Sequence, residues 1–212
     1  MKPAALGIRA HSGWGALVIV SGSPDALEVV ARKRVAVTDP RMNGANQPYH
    51  FARSQEFPKA ERYVADCAAI SEKLAVEALR EVIGDLRRRE HGVVSCAILL
   101  GSSRPLPSLS EILASHSLIH AAEGEFFRRI FWKANARLGI RVLGIRERDL
   151  ERSLEGAFGE RAVSLRQQIA ALGKSLGPPW TTDQKTACLA ALLALGSEPK
   201  QSRAGAPKQV GR

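Results

Sequence analysis

The run Val93 to Leu100 constrains the fold more than any other segment, because eight consecutive residues carry no charge. A strand that is apolar on both faces has to be covered on both faces, which is typical of a central strand in a sheet between helices. Gly101 and the polar residues that follow it end the run. The sequence therefore predicts an α/β protein.

The segment before this strand predicts an antiparallel hairpin. Gly15 to Val20 is a strand-like run, Ser21 to Asp25 reads as the turn that closes it, and Leu27 to Val37 alternates apolar and charged residues. The loop 41–58 contains Asn43-Gly44 and could carry a short third strand.

Apolar residues at helical spacing predict the remaining elements. Helices are expected over Pro58–Arg89, where Gly84 offers a point of breakage, over Ser108–Arg137, over about 149–172 and over Trp180–Leu195, with a parallel strand at Ile140–Ile145. The last helix opens on a capping box, Thr181-Thr182-Asp183-Gln184. The predicted fold is a mixed central sheet of about five strands, the first antiparallel and the later ones parallel, flanked by helices.

Length and composition favour one compact domain over two small ones. The chain has 212 residues, of which 45% are hydrophobic, and we assign residues 1–196 to a single domain. Residues 197–212 are rich in Pro, Gly, Ser and Gln and carry four basic side chains, so a disordered basic tail is predicted. The longest uncharged stretches run about twelve residues, too few for a membrane helix, and no signal-peptide pattern is visible. We expect a cytoplasmic protein.

The net charge indicates a class of partner, and the spacing of the cysteines indicates their chemical role. A formal net charge of +10 favours polyanions such as nucleic acid, although the short basic clusters also fit a solvated surface. The three cysteines lie far apart within apolar patterns, which indicates reduced core thiols, not disulfides or a zinc site.

Several segments resemble the Holliday-junction resolvase branch of the ribonuclease H-like superfamily. In that branch a first strand with Ile-Asp-Pro-Gly precedes Thr-Gly-Trp-Gly, and this chain reads Ile8-Arg9-Ala10-His11 before Ser12-Gly13-Trp14-Gly15. The apolar strand before Gly101, the helix through His120 and the helix from Asp183 to Ala191 follow in the same order. The resemblance covers most of residues 4 to 195 and implies a ribonuclease H-like fold.

The resemblance also implies a departure in chemistry. These nucleases hold two Mg²⁺ ions ~4 Å apart with about four carboxylates. Here the first-strand acid aligns with Arg9, the central-strand acid with Leu99 or Leu100, and one terminal-helix acid with Thr186, so that only Asp183 remains. An arginine among the metal ligands would repel the cations. We therefore expect Arg9 to pair with Asp183, and the conventional two-metal mechanism to fail.

A second constellation offers a different chemistry. His116, His120 and Glu123 lie within about 60° of one another on a helical wheel, on the stripe expected to face the core. Two histidines one turn apart can bind Zn²⁺, whereas histidines hydrogen-bonded in a core are the plainer interpretation. Asp183 could join this site, or could simply complement the helix dipole.

Other candidates for ligand contact lie at the ends of strands and in loops. These are Arg9, His11, Tyr49, His50 and Arg104, and surface residues without a ligand are the plain alternative. Glu147 and Asp149 follow the last strand and could enter a cleft at the carboxyl edge of the sheet.

Three functions are compatible with these patterns. The first is a nuclease-inactive ribonuclease H-like protein that binds nucleic acid or a protein partner and needs no cofactor or metal. The alternative is a hydrolase or nuclease that uses Mg²⁺ or Zn²⁺ in a rearranged site of His116, His120, Glu123 and Asp183. The third is the ATP-dependent activity of the superfamily's sugar kinases and chaperones, for which the sequence offers only Gly101-Ser102-Ser103 in place of their glycine-rich phosphate loops.

Overall fold

A computed structural model describes residues 1–101 and 105–197, and within them a five-stranded sheet forms the centre. The strands are β1 Lys2–His11, β2 Trp14–Ser21, β3 Glu28–Ala36, β4 His91–Leu100 and β5 Val142–Arg146. Their order is β3-β2-β1-β4-β5. The pairs β1/β2 and β2/β3 are antiparallel, whereas β1/β4 and β4/β5 are parallel. This is the ribonuclease H-like arrangement predicted from the sequence.

Helices cover both faces of this sheet. They are α1 Pro48–Ala52, α2 Phe57–Arg88, α3 Leu109–Ala114, α4 His116–Arg137, α5 Leu150–Phe158, α6 Arg161–Ala171, α7 Gly173–Leu176 and α8 Thr182–Gly196, with a short 3₁₀ turn at Glu147–Asp149. None of the helices within the described ranges is long and apolar enough to cross a lipid bilayer.

Alternation along the strands builds two separate cores. Leu6, Ile8 and Ile98 pack against α2 and α4 on one face. Ala5, Ala97 and Leu99 pack against α5, α6 and α8 on the other. Because Arg9 follows the same alternation as Ala5, it lies on the α8 face at the end of β1.

Helix α8 approaches the sheet closely at Gly7. A Cβ atom built at Gly7 would lie 1.8 Å from the carbonyl oxygen of Ala187, so only glycine leaves room for the α8 backbone. Thr181 and Gln184 form the predicted capping box, which fixes where α8 begins.

The three cysteines are free and buried, as predicted. Burial raises the pKa of the Cys188 thiol to about 12, because the thiolate is poorly solvated there.

Several predicted boundaries were wrong. The optional strand in 41–58 is instead the helix α1, which has Pro48 in its first turn, where proline is well tolerated. Helix α2 continues through Gly84 because its packing outweighs the low helix propensity of one glycine. Two of the remaining predicted helices are each split: Ser108–Arg137 at Ser115, which is extended, and 149–172 at Gly159, which has a φ of 57°. Apolar periodicity continues across both splits and hides them.

Candidate functional site

The carboxyl ends of the three parallel strands meet at one edge of the sheet. β1 ends at His11, β4 at Leu100 and β5 at Arg146. The hairpin places the start of β2, at Trp14, beside His11. Polar side chains from separate parts of the chain therefore meet at this edge.

Arg9 is the centre of an ion-pair network at this edge. Its Nη1 donates a hydrogen bond to Oδ1 of Asp183, which is the contact predicted from the sequence. Its Nε and Nη2 donate to the two carboxylate oxygens of Glu147 at 3.3 and 3.1 Å. The fork of Arg9 thus engages one acid from the start of α8 and one that follows β5.

These contacts keep Arg9 charged. Hydrogen bonding to Glu147 raises the pKa of the Arg9 guanidinium, burial opposes that shift, and Asp183 adds to it. The side chains of Arg9 and Asp183 are 27% and 25% exposed, so the pair lies partly out of water.

Glu147 and Asp149 both follow β5, but of the two only Glu147 joins the network. The carboxylate of Asp149 lies 3.9 to 4.0 Å from the guanidinium groups of Arg146, Arg148 and Arg152. These three arginines share one carboxylate, whereas the exposed acids Glu147 and Glu151 pair with Arg9 and Arg166.

His11 extends the network toward β3. Its Nε2 lies 3.1 Å from Oδ2 of Asp183, although the ring is not oriented for a hydrogen bond. The His11 ring stacks on Trp14 with centroids 4.3 Å apart, and the guanidinium of Arg34 lies 3.6 Å from the Trp14 ring centroid. Sequence reasoning missed Arg34. Its position near Trp14 depends on the register between β2 and β3, which the sequence does not show.

The other positions implied by the resolvase resemblance carry no carboxylate. Leu99 is 1% exposed in the core beside α8, while Leu100 packs toward the opposite core. The hydroxyl of Thr186 donates to the carbonyl of Thr182 at 2.7 Å. The two acids that are present both bind the Arg9 guanidinium. These residues do not fit a pair of Mg²⁺ ions.

The second candidate group lies on the other face of the sheet, because α4 packs in the core opposite to that of α8. Among the described residues, no hydrogen bond or ion pair joins Asp183 to His116, His120 or Glu123. The predicted inward direction of both histidines was wrong. They are exposed at the first turns of α4, beside α1, and only Glu123 is buried.

His50 completes this group, which we call the histidine cluster: His50, His116 and His120. One ring nitrogen of each lies within 4.8 Å of one in the others. The Nε2 atoms of His116 and His120 are 3.0 Å apart. His50 Nδ1 lies 3.3 Å from Oε1 of Glu123, which also accepts hydrogen bonds from the backbone N–H groups of Tyr49 and His50.

The placement of Tyr49 and His50 in a loop was wrong, since both lie in α1. Tyr49 is 6% exposed and packs edge-on against Phe126, and burial raises the pKa of its hydroxyl. It contributes to the core on this face. Arg104, the remaining candidate, lies outside the described residues.

Comparisons with known proteins give structural likeness only. No protein-family model matches the sequence, and no curated protein matches it. Among solved structures, the chain is similar to RuvC of Thermus thermophilus, in complex with a Holliday junction substrate and alone, at 13% and 12% identity and a TM-score of 0.48 in both cases. These alignments cover 90% of this chain and 90% and 92% of RuvC. A Ppx/GppA family member from Aquifex aeolicus is similar at 14% identity and a TM-score of 0.34, over 84% of this chain and 41% of that one.

Proposed function

We propose that the protein is a ribonuclease H-like nucleic-acid-binding protein that does not cleave its ligand by a two-metal mechanism. The observation that carries the proposal is Arg9, which donates hydrogen bonds to both Asp183 and Glu147 at the carboxyl edge of the sheet. A guanidinium neutralises these acids, as a divalent cation would elsewhere.

Electrostatics opposes a cation at this position. A divalent ion about 4 Å from a guanidinium is repelled on the order of several kcal/mol at the effective dielectric constant of a partly exposed site. The ion would also have to displace the Arg9 guanidinium from the two carboxylates that accept its hydrogen bonds. Mg²⁺ binding is therefore unfavourable unless Arg9 is removed.

The charges that flank the network support nucleic acid as the ligand. On the β3 side, Arg34 is exposed and lies over Trp14. On the β5 side, Arg148 and Arg152 are 70% and 88% exposed, and each guanidinium lies 4.0 Å from the carboxylate of Asp149. A polyanion that followed this edge would contact cations at both ends, and each neutralised phosphate would release counterions.

Salt-dependent binding tests the proposal. Fluorescence anisotropy of full-length protein with a labelled four-way DNA junction, a DNA duplex and an RNA–DNA hybrid should show affinity that falls linearly with salt on logarithmic axes. Arg34→Ala and Arg148→Ala should each weaken binding and reduce the slope by about 0.9. Arg87→Ala is the matched control, because this exposed arginine lies in the last turn of α2, next to the start of β4 at the opposite edge.

Two outcomes would contradict the proposal. Absence of binding to all three ligands at low salt would remove nucleic acid and favour the protein partner that the sequence left open. An equal loss of slope in Arg87→Ala and Arg34→Ala would show that binding follows total charge instead of this edge.

A further inference from the structure

We propose that the histidine cluster binds one transition-metal ion per chain, with Zn²⁺ as the fitting ion, and that Glu123 positions His50 for this purpose. The site is independent of the proposed nucleic-acid function, since it lies on the α4 face and shares no residue with the Arg9 network.

The spacing of the ring nitrogens matches a tetrahedral metal site. Two nitrogens that each lie about 2.0–2.1 Å from a zinc ion at the tetrahedral angle are roughly 3.3 Å apart. The Nε2 atoms of His116 and His120 are 3.0 Å apart, and all three rings offer a nitrogen within 4.8 Å of the others. Small side-chain rotations would bring three lone pairs onto one ion.

Glu123 gives this arrangement a fixed geometry. The carboxylate is 5% exposed, and its Oε1 accepts the backbone N–H of His50 at 3.0 Å. The same oxygen lies 3.3 Å from His50 Nδ1. A histidine that donates from Nδ1 to a carboxylate offers Nε2 as its metal ligand, and this outer contact orients the ring. The buried acid thus joins α1 to α4 and sets the position of His50.

The ligand chemistry selects the class of metal. Imidazole nitrogens suit Zn²⁺, Cu²⁺ and Ni²⁺, whereas Mg²⁺ and Ca²⁺ prefer oxygen ligands. Three protein ligands leave a fourth position of a tetrahedral ion for solvent. His120 also borders a cavity of about 430 Å³ that is lined by Gly101 and Arg128. The fourth position would therefore lie beside a cavity whose charged lining residues are Glu125 and Arg128.

A metal titration tests the site. Tag-free, full-length protein is stripped with a chelator, and Zn²⁺ is added in competition with a chromogenic chelator. We expect one tight site per chain and a rise in melting temperature of roughly 5–10 °C when free metal reaches about 100 times Kd. Co²⁺ in the same site should give the intense visible absorption of tetrahedral coordination.

Variants separate this site from adventitious binding. His116→Ala and His120→Ala should each weaken Zn²⁺ binding by at least about 100-fold, without changing the melting temperature of the metal-free protein, because both side chains are exposed. His11→Ala is the matched control and should bind like the parent protein. Glu123→Gln should bind about 10- to 100-fold more weakly.

Three results would contradict the proposal. No stoichiometric Zn²⁺ binding by the folded parent protein, or unchanged affinity in a His116→Ala/His120→Ala double variant, would overturn the site. Unchanged affinity in a folded Glu123→Gln variant would overturn the positioning role of the carboxylate.

Discussion

Replacing Arg9 by methionine should both destabilise the protein and make it responsive to Mg²⁺. Methionine keeps the length and apolar character of the arginine stem but removes all of its donors. Asp183 and Glu147 then remain at one edge without a shared cation. The variant therefore tests whether the guanidinium neutralises these two acids.

The expected loss of stability follows from the contacts. Arg9 makes three hydrogen bonds to two carboxylates, and its side chain is 27% exposed. Water screens the interaction, particularly at Glu147, which is 38% exposed, so the gross attraction has to be discounted. We therefore expect Arg9→Met to lower the free energy of unfolding by about 1–3 kcal/mol, the range for hydrogen bonds to charged groups. In a domain of this size it corresponds to a fall of roughly 2–12 °C in melting temperature.

Thermal unfolding with and without millimolar Mg²⁺ provides the measurement. The parent protein should show no stabilisation by Mg²⁺, whereas Arg9→Met should recover part of its loss, since binding to the native state raises stability by mass action. Adding Asp183→Asn to Arg9→Met should abolish that recovery. A loss below about 0.5 kcal/mol in Arg9→Met, or Mg²⁺ stabilisation of the parent protein, would refute the reasoning.

Two further predictions concern the helix that carries Asp183. Gly7→Ala should prevent or severely impair folding in urea titrations, because the new Cβ would overlap the Ala187 carbonyl, whereas Gly156→Ala, in open space on α5, should stabilise by roughly 0.5–1 kcal/mol. Similar free energies of unfolding for both variants would contradict the close approach of α8 to β1. Thr181→Ala removes the hydroxyl that caps the backbone N–H of Gln184 and should cost about 1 kcal/mol in the same titration. No change there would show that the cap does not stabilise α8.

Features with a local signal could be predicted from the sequence. The uncharged run Val93 to Leu100 indicated a central strand, and the capping box located the start of the last helix. The pairing of Arg9 with Asp183 could be predicted because the resolvase resemblance placed both residues at one site.

Features that depend on tertiary packing could not be predicted in the same way. His116 and His120 are one helical turn apart and were visible as a pair, but His50 joins them only through the packing of α1 on α4. The strand register that sets Arg34 over Trp14 is equally nonlocal. The direction of the His116 and His120 side chains could not be predicted either. Helical periodicity placed both on the stripe that faces the core, but it could not show that the first turns of α4 lie beside α1.

The most direct test of the central claim is a cleavage assay. Purified protein is incubated with a four-way DNA junction and with an RNA–DNA hybrid, in Mg²⁺ and separately in Mn²⁺, and products are resolved on denaturing gels. Because Arg9 occupies both carboxylates, we predict no metal-dependent product from either substrate, under conditions in which binding is saturated. Cleavage that requires the metal and is lost in Asp183→Asn would contradict the account.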